Sequence, residues 1–180
     1  MRIISGQYRG RSLPVTPKGF KARPTTDSAK ENLFNILGNL FDFETINVLD
    51  LFAGTGGISY EFASRGCQSV DTVEIDFLHF NYIKSTVKTL DLKQIHVIRN
   101  DSFRFLNLCR KTYDIIFADP PYANDKITLI PQLVLDKHLL NNDGYLIIEH
   151  SANNDFSETE NFINHRRYGS VNFSFFKNTI

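Results

Sequence analysis

The apolar residues of this chain fall into short runs that alternate with stretches of helical spacing. Short apolar runs predict strands, and apolar side chains three or four positions apart predict amphipathic helices between them. Strands separated by helices are typical of βαβ units, so we expect a parallel sheet with helices on both faces. The strands are expected at 46–53, 69–76, 95–101, within 113–121 and at 144–151, and the helices at 58–66, 77–92, 102–112 and about 126–139.

The end of the chain departs from this alternation. Residues 164–178 hold two aromatic, alternating runs around Tyr168, Gly169 and Ser170, with no helical stretch between them. This pattern predicts a hairpin, so at least one strand at the end of the sheet should be antiparallel. We therefore expect an α/β fold with a mostly parallel sheet of seven strands and a C-terminal antiparallel hairpin.

The start of the chain also departs from it. Residues 2–15 contain Gly6 and Gly10 and predict two short strands that form a hairpin. Residues 24–37 predict a helix whose first turn Thr26 or Asp27 can cap. Together these elements predict a small β-hairpin and helix extension ahead of the main sheet.

Charge is distributed unevenly along a chain whose formal net charge is zero. Residues 1–30 hold seven Lys and Arg residues against the single acid Asp27, so the remaining residues are net acidic by six. A basic arm on an acidic body suggests contact with a polyanion, although a solvated basic start is an equal alternative. We divide the chain into an extension, residues 1–43, and a main domain, residues 44–180.

Composition excludes several classes of protein. The chain has 180 residues, 42% of them hydrophobic, which suits one domain with a core and a short extension. Cys67 and Cys109 lie in no CxxC motif and near no histidine cluster, so we expect no metal site. No run reaches the roughly 18 apolar residues of a membrane span. The start MRIISGQYRG also lacks the apolar block of a signal peptide, so we expect a cytoplasmic protein without membrane contact. We also expect a monomer.

A glycine-rich loop and two acids follow the first three predicted strands. Gly54 and Gly56 let the backbone turn tightly and approach a ligand at the start of the next helix. Glu74 lies twenty residues after Gly54, where a carboxylate can accept hydrogen bonds from ribose hydroxyls. Asp101 ends the third strand, beside the expected adenine. Open α/β sheets bind ligands at the carboxyl ends of their strands, so this pattern predicts a nucleoside cofactor.

The acids around this loop distinguish between cofactors. A dinucleotide favours GxGxxG, but Ser59 stands at the position of the third glycine. Carboxylates repel a pyrophosphate and suit a cationic ligand, and S-adenosylmethionine carries an ammonium, a sulfonium and a ribose. For the glycine loop taken alone, a turn without a ligand is an equal alternative. The expected carboxylates are those of Asp50, Glu74, Asp101 and Asp119.

The tetrapeptide DPPY, residues 119–122, interrupts the most apolar predicted strand. An exocyclic amine on a base is a poor nucleophile because its lone pair is delocalised into the ring. The Asp119 carboxylate and the rigid Pro120 carbonyl can accept the N–H groups of such an amine and localise its lone pair. Tyr122 offers a face on which a base can stack, a contact worth roughly 1–3 kcal/mol. The motif therefore predicts methyl transfer to a planar nitrogen, with a purely structural turn as the alternative.

These motifs carry a resemblance to known enzymes. [D/N]PP[Y/F] after the fourth strand of a glycine-loop α/β domain resembles the class I S-adenosylmethionine-dependent amino-methyltransferases. The segments RIISGQYRGRSL, RPTTDSAKENLFNIL, VLDLFAGTGGISYEFASRG and GYLIIEHS closely resemble the bacterial family that methylates N2 of a guanine in small-subunit (16S) ribosomal RNA. The match runs from about residue 2 to 150, and RPTTD is its most specific element because generic methyltransferases lack it. The resemblance implies a Rossmann-like methyltransferase domain.

The resemblance also implies roles for individual residues. It places Arg23, Thr25 and Thr26 near the cofactor and the target base, with Thr26 counted as a cofactor contact and Arg23 as an RNA contact. One departure is Tyr60, which is bulkier than the family pattern expects, while Glu61 keeps the family's acid. The partner is expected to be ribosomal RNA or a small-subunit assembly particle. The implied cofactor contacts are Asp50, Phe52, Gly54, Gly56, Glu74 and Asp101, the methyl-transfer residues are Asp119, Pro120, Pro121 and Tyr122, and the phosphate contacts are Arg9, Arg11 and Lys18.

Two other readings of the sequence stay open. An adenine-N6 or glutamine-amide methyltransferase would share the cofactor pattern, but such enzymes more often carry Asn at position 119. Enzymes that act on DNA also usually carry a separate recognition domain, and this sequence shows none. A nucleotide-binding oxidoreductase or a regulatory Rossmann module is the third reading. The absent third glycine disfavours the oxidoreductase, and the intact DPPY motif disfavours the regulatory module.

Overall fold

The computed structural model describes residues 2–20, 25–121 and 125–179. Within these residues, seven strands form a single sheet that helices cover on both faces. The strands are β1 (Asn47–Leu51), β2 (Ser69–Glu74), β3 (Ile95–Arg99), β4 (Tyr113–Ala118), β5 (Leu140–His150), β6 (Phe162–Tyr168) and β7 (Val171–Lys177). The helices are α1 (Asp27–Leu40), α2 (Gly57–Ser64), α3 (Phe77–Leu90), α4 (Ser102–Leu108) and α5 (Leu129–Asp136), with a short 3₁₀ helix at Phe43–Thr45.

The strand order is β3-β2-β1-β4-β5-β7-β6. Neighbours from β3 to β5 pair in parallel, whereas β7 pairs antiparallel with both β5 and β6. Strands β2 and β3 are added on one side of β1, and β4 and β5 on the other side. The order in which strands are added therefore switches sides at β1. The predicted Rossmann-like α/β fold and its C-terminal antiparallel hairpin are confirmed.

Some predicted elements have different limits. The first strand ends at Leu51, before the expected residue 53, because the backbone turns at Phe52. The fifth strand begins at Leu140, before the expected residue 144. Residues 141–143 are polar and gave no strand pattern. In the structure, the Asn141 side chain holds this part of β5 by a 2.7 Å hydrogen bond to the Asp114 carboxylate.

The predicted N-terminal hairpin is present, but its paired region is much shorter than two strands. The segment forms one isolated antiparallel bridge, between Arg2 and Ser12, and turns occupy residues 5–10. Across the hairpin, the Ile3 N–H donates to the Arg11 carbonyl at 3.1 Å and the Gly10 N–H donates to the Ile3 carbonyl at 2.9 Å. The turn also bonds to the end of helix α2, since the Gln7 N–H donates to the Ser64 carbonyl at 2.6 Å. The opposite arm and the helix end together satisfy these backbone groups.

The hydrophobic core has one cluster on each face of the sheet. On the first face, α1, α2 and α3 pack on β1 and β4, and the N-terminal segment adds Ile3 and Leu13 to the same cluster. On the second face, α4 and α5 cover Leu49, Ile116 and Ile148. The N-terminal segment and the main sheet therefore share one core, and a boundary at residue 43 stays a prediction.

A buried ionic cluster joins the N-terminal segment to α1 and α2. Glu61 is fully buried, and its Oε1 atom accepts a 2.8 Å hydrogen bond from the Ile4 N–H. The ammonium of buried Lys30 lies 3.7 Å from the same oxygen, and Arg65 pairs with the other oxygen. Because removing one member would leave a buried charge unpaired, this cluster holds the segment in place.

Candidate active site

A cavity of about 530 Å³ opens at the carboxyl ends of the parallel strands, where α/β folds bind ligands. It brings together most of the predicted site residues. Gly56 is not among the residues that line it, and Tyr122 and Arg23 lie outside the described residues. The predicted residues that line it are Thr26, Asp50, Phe52, Gly54, Glu74, Asp101, Asp119, Pro120 and Pro121.

The glycine loop leaves β1 through an unusual backbone conformation. Phe52 has φ 60°, and Gly54 and Gly56 have φ 56° and 78°. A positive φ is uncommon for a bulky residue because it costs free energy. Such strained backbone conformations are typical of loops at ligand-binding sites. Gly56 precedes α2, and a Cβ there would lie 2.7 Å from the ring of buried Tyr60. The bulkier Tyr60 thus packs under the loop, outside the cavity lining, and Gly56 sets the shape of the loop.

Glu74, at the end of β2, shapes the same loop. Its carboxylate accepts a 2.7 Å hydrogen bond from the Gly54 N–H and a 2.8 Å bond from the Asp76 N–H. A carboxylate offers about four acceptor positions, so two backbone bonds leave capacity for ribose hydroxyls. In the structure, Glu74 thus fixes the backbone of the glycine loop. The sequence had predicted only its contact with the ribose.

Asp50 lies fully buried in β1, and Ser59 holds it. The Ser59 N–H and hydroxyl donate to one carboxylate oxygen of Asp50, at 3.1 and 2.5 Å. Burial nevertheless raises the pKa of Asp50 to about 7, and nearby Glu74 raises it further against the effect of these bonds. Ser59, which stands where a dinucleotide motif has its third glycine, therefore stabilises the Asp50 carboxylate. The motif alone did not predict this role.

Asp101 and Thr26 each cap a helix at the edge of the cavity. Asp101 accepts a 2.8 Å bond from the Arg104 N–H at the start of α4, and Thr26 accepts a 3.3 Å bond from the Ala29 N–H at the start of α1. Phe52 packs edge-on against Phe103 of α4, with ring centroids 5.8 Å apart. Both predicted cofactor contacts are thus held in fixed positions by the helices that they cap.

Asp119 follows directly after β4. Its N–H donates a 3.4 Å bond to the Leu51 carbonyl, which continues the pairing with β1. Burial raises the pKa of Asp119 well above its ordinary range, and the carboxylates of Glu149 and Asp50 raise it further. A carboxyl group with a raised pKa at the end of a strand is typical of functional sites.

Glu149 is a cavity residue that the sequence analysis did not single out. It lies near the end of β5, is 3% exposed, and accepts a 2.7 Å hydrogen bond from the Thr25 hydroxyl. The rule that identified Glu74 and Asp101 applies to it as well, because GYLIIEHS also ends a parallel strand with an acid.

The three described residues of the predicted RNA surface are exposed and lie outside this cavity. Arg9 lines a second cavity of about 380 Å³ together with Arg2 and Arg65. Arg11 stacks over the ring of Tyr8 at 5.0 Å, and Lys18 stands further along the arm. Glu31 lines the same cavity, and Arg2 and Arg65 lie within ion-pair distance of Asp27 and Glu61, so acids compensate part of the positive charge around Arg9.

The part of the chain that the structure describes contains neither a metal-binding cluster nor a membrane-spanning helix. Among them, no group of three or more His, Cys, Asp or Glu side chains is placed to hold a metal ion. None of the helices in the described ranges is long and apolar enough to cross a membrane.

Comparisons with known proteins agree with this geometry. A family model described as "Conserved hypothetical protein 95" matches residues 1–177. The chain is 40% identical to "Putative rRNA methyltransferase YlbH" of Bacillus subtilis, over 88% of this chain and 87% of that one. It is 31% identical to "Ribosomal RNA small subunit methyltransferase D" of Escherichia coli K12, over 86% of this chain and 76% of the relative.

Solved structures show the same fold. "Putative methyltransferase yhhF" from Escherichia coli superposes with a TM-score of 0.87 at 28% identity, over 99% of this chain and 98% of that one. A Thermus thermophilus 16S rRNA N2 G1207 methyltransferase, in complex with AdoMet and guanosine, shares the fold at 18% identity. Its TM-score is 0.71, over 89% of this chain and 45% of that one. The chain therefore belongs to the family described as conserved hypothetical protein 95, and its expected relationship to the small-subunit ribosomal RNA methyltransferases is confirmed.

Proposed function

We propose that this protein transfers a methyl group from S-adenosylmethionine to N2 of a guanine in small-subunit ribosomal RNA. The observation that carries the proposal is the position of Asp119, which ends β4 in an acid-lined cavity beside the glycine loop. The family membership and the names of the relatives support an enzyme that methylates ribosomal RNA. The DPPY motif supports transfer to a planar nitrogen, and the choice of guanine in RNA rests on the resemblance of RPTTD and on the basic arm.

The cofactor is S-adenosylmethionine, and the residues present fit it. Glu74 keeps acceptor capacity for the ribose hydroxyls, and Gly54 allows the backbone to approach the ligand. Asp50 and Asp101 add negative charge, which favours a ligand with an ammonium and a sulfonium. When bound, S-adenosylmethionine supplies an electrophilic methyl group.

Asp119 and Pro120 prepare the nucleophile. The Asp119 carboxylate accepts one N–H of the guanine amine, and the rigid Pro120 carbonyl accepts the other, which localises the nitrogen lone pair. The surroundings that raise the pKa of Asp119 also suit it to hold the proton that the amine releases. Tyr122 would stack on a base that is flipped out or already unpaired.

Ribosomal RNA, free or in an assembly particle, is held by the basic N-terminal arm. Arg9, Arg11 and Lys18 are exposed and lie in the segment that the Glu61 cluster and Ser64 fix to the main domain. Arginine and lysine contacts to phosphates position an RNA without reading its sequence. The arm therefore supplies affinity, and the cavity supplies the choice of base.

The product nucleoside tests this proposal. Small-subunit RNA from a strain that lacks this protein is incubated with the purified protein and S-adenosylmethionine, then digested and analysed by mass spectrometry. We expect N2-methylguanosine at one position, and RNA from the parent strain, which contains the protein and has already been methylated, serves as the control. N6-methyladenosine would overturn the choice of guanine, and the absence of any methylated nucleoside from both free RNA and assembly particles would overturn the proposal.

A further inference from the structure

Glu149 has no part in the reaction as derived above, although it lies beside the residue that prepares the nucleophile. In the parallel pairing of β4 with β5, Ala118 lies opposite Ile148. Asp119, the first residue after β4, therefore lies beside Glu149 of β5, and both line the same cavity. Two carboxylates held next to each other in a buried site favour a ligand that brings hydrogen-bond donors to both of them.

Thr25 fixes the Glu149 carboxylate from the other side of the cavity. The 2.7 Å hydrogen bond between them joins residues 124 positions apart in sequence. Thr25 directly precedes Thr26, the cap of α1, and α1 is anchored by fully buried Ala29 and Leu33. The hydroxyl of Thr25 is thereby held in place, and it fixes the orientation of a carboxylate that offers about four acceptor positions.

Guanine and adenine differ at the ring nitrogen beside the edge that such a pair of acids would meet. Guanine presents an N1–H donor next to its N2 amine, so its edge offers adjacent donors. Adenine presents an acceptor, N1, next to its N6 amine. An ionised carboxylate accepts hydrogen bonds and donates none, so two acids side by side match guanine and leave an unfavourable acceptor pair with adenine.

We infer that Glu149 selects guanine by accepting its N1–H while Asp119 engages the N2 amine, and that Thr25 positions Glu149 for this contact. The inference rests on the proposed function and deepens it, because it names the group that chooses the base. It also gives the first threonine of RPTTD a physical role. A site built to hydrogen-bond one group rejects an analogue without it, by a factor that reaches about 10⁴ in favourable cases.

The test replaces the target guanine of an RNA substrate by 2-aminopurine, which keeps the amine but presents an acceptor at N1. For the unmodified protein we expect kcat/KM to be at least about a hundredfold higher with guanine. Glu149→Gln can donate from its amide to the N1 acceptor, so we expect this preference to fall by roughly tenfold or more. Since 2-aminopurine also lacks O6, the comparison of the two preferences cancels contacts to that atom.

Matched variants separate selection from folding. Glu158→Gln changes an exposed acid outside the cavity and should leave the preference unchanged. Thr25→Val removes the hydroxyl at similar volume and should reduce the preference, while Thr25→Ser keeps the donor and should restore it. The same preference in the unmodified protein, Glu149→Gln and Thr25→Val would overturn the inference. If the unmodified protein methylates neither base, the proposed function itself fails.

Discussion

The Ser59 hydroxyl lies 2.5 Å from the buried carboxylate of Asp50 and 2.7 Å from the Thr72 hydroxyl. Ser59 therefore occupies the third glycine position of a dinucleotide motif with a side chain that stabilises an acid. Even with this support, burial raises the pKa of Asp50 to about 7. The acid that the cofactor would meet thus titrates near neutral pH.

The affinity for S-adenosylmethionine should consequently depend on pH. Below pH 7 Asp50 is largely protonated, and a cationic ligand favours its ionised form, so binding releases a proton. We expect the affinity to rise from pH 5 to 7, by up to about tenfold per pH unit, and to level off above. Titration calorimetry across this range measures it. Asp50→Asn should flatten the rise, and an unchanged slope in this variant would contradict the role of Asp50.

Stability of the free protein should depend on pH in the opposite sense. The folded-state pKa of Asp50 is above its ordinary value of 3.8, so the unfolded chain releases its proton first as the pH rises. Asp50 therefore lowers the free energy of unfolding between about pH 4 and 7, by up to about 4 kcal/mol. Urea unfolding of the protein and of Asp50→Asn at both pH values provides an independent check.

Asp119→Ala should abolish methyl transfer and spare the cofactor. The variant loses the acceptor that localises the amine lone pair and holds the departing proton, so kcat should fall by at least about 10²–10³-fold. The dissociation constant for S-adenosylmethionine should change by less than about threefold, because Glu74 and the glycine loop remain. Single-turnover assays and calorimetry on one preparation separate the two effects, and near-normal kcat would exclude Asp119 from the chemistry.

Glu74→Ala should have the reverse effect. It removes the proposed ribose acceptor and also releases the Gly54 and Asp76 N–H groups, which Glu74 now accepts. We expect the cofactor to bind at least about 10–100-fold more weakly, which corresponds to the loss of roughly one hydrogen bond to a charged group. The change in kcat at saturation should be smaller. Glu160→Ala, at an exposed position outside the cavity, is the control. An unchanged affinity would remove Glu74 from the ribose role.

Neutralising Arg9 and Arg11 together should flatten the salt dependence of RNA binding. Each phosphate contact contributes about 0.7–0.9 to the slope of log affinity against log salt concentration, so two contacts contribute about 1.4–1.8. Filter binding at several salt concentrations measures the slope. The double change Lys84→Gln and Lys88→Gln removes the same charge from exposed positions of α3 and should leave the slope unaltered. Equal slopes in all three proteins would count against the arm.

Two glycines of the N-terminal segment offer a matched pair for stability. Gly6 and Gly10 have φ of 83° and 78°, so alanine is strained at both. A Cβ at Gly6 would lie 2.0 Å from the Ser64 carbonyl oxygen, whereas nothing lies within 4 Å of one at Gly10. Gly10→Ala should cost about 1 kcal/mol, and Gly6→Ala should cost more because the segment must leave α2. Urea unfolding measures both, and equal costs would contradict the docking of this segment.

The local sequence pattern predicted most helices and strands, because their formation depends on residues that are close along the chain. Apolar periodicity distinguished strand from helix over most of the chain, and the aromatic runs around Gly169 identified the antiparallel hairpin. For residues 2–15 the glycines indicated a hairpin, and the structure has a short one that pairs Arg2 with Ser12. The contact of this segment with α2 was not predicted, because a partner such as Glu61, 57 residues from Ile4, leaves no mark on a local pattern.

The sequence by itself determined the order of strands and helices along the chain and the position of the glycine loop. It also determined most of the acids at the ends of the parallel strands. These features depend on residues that are neighbours along the chain. Only the tertiary structure decided which acids meet. The register of β4 against β5 places Glu149 beside Asp119, and the packing of α1 brings Thr25 to Glu149. Burial likewise decided that Asp50 titrates near neutral pH. Register, packing and burial are properties of the folded chain, so a carboxylate's neighbours and its pKa cannot be read from its position in the sequence.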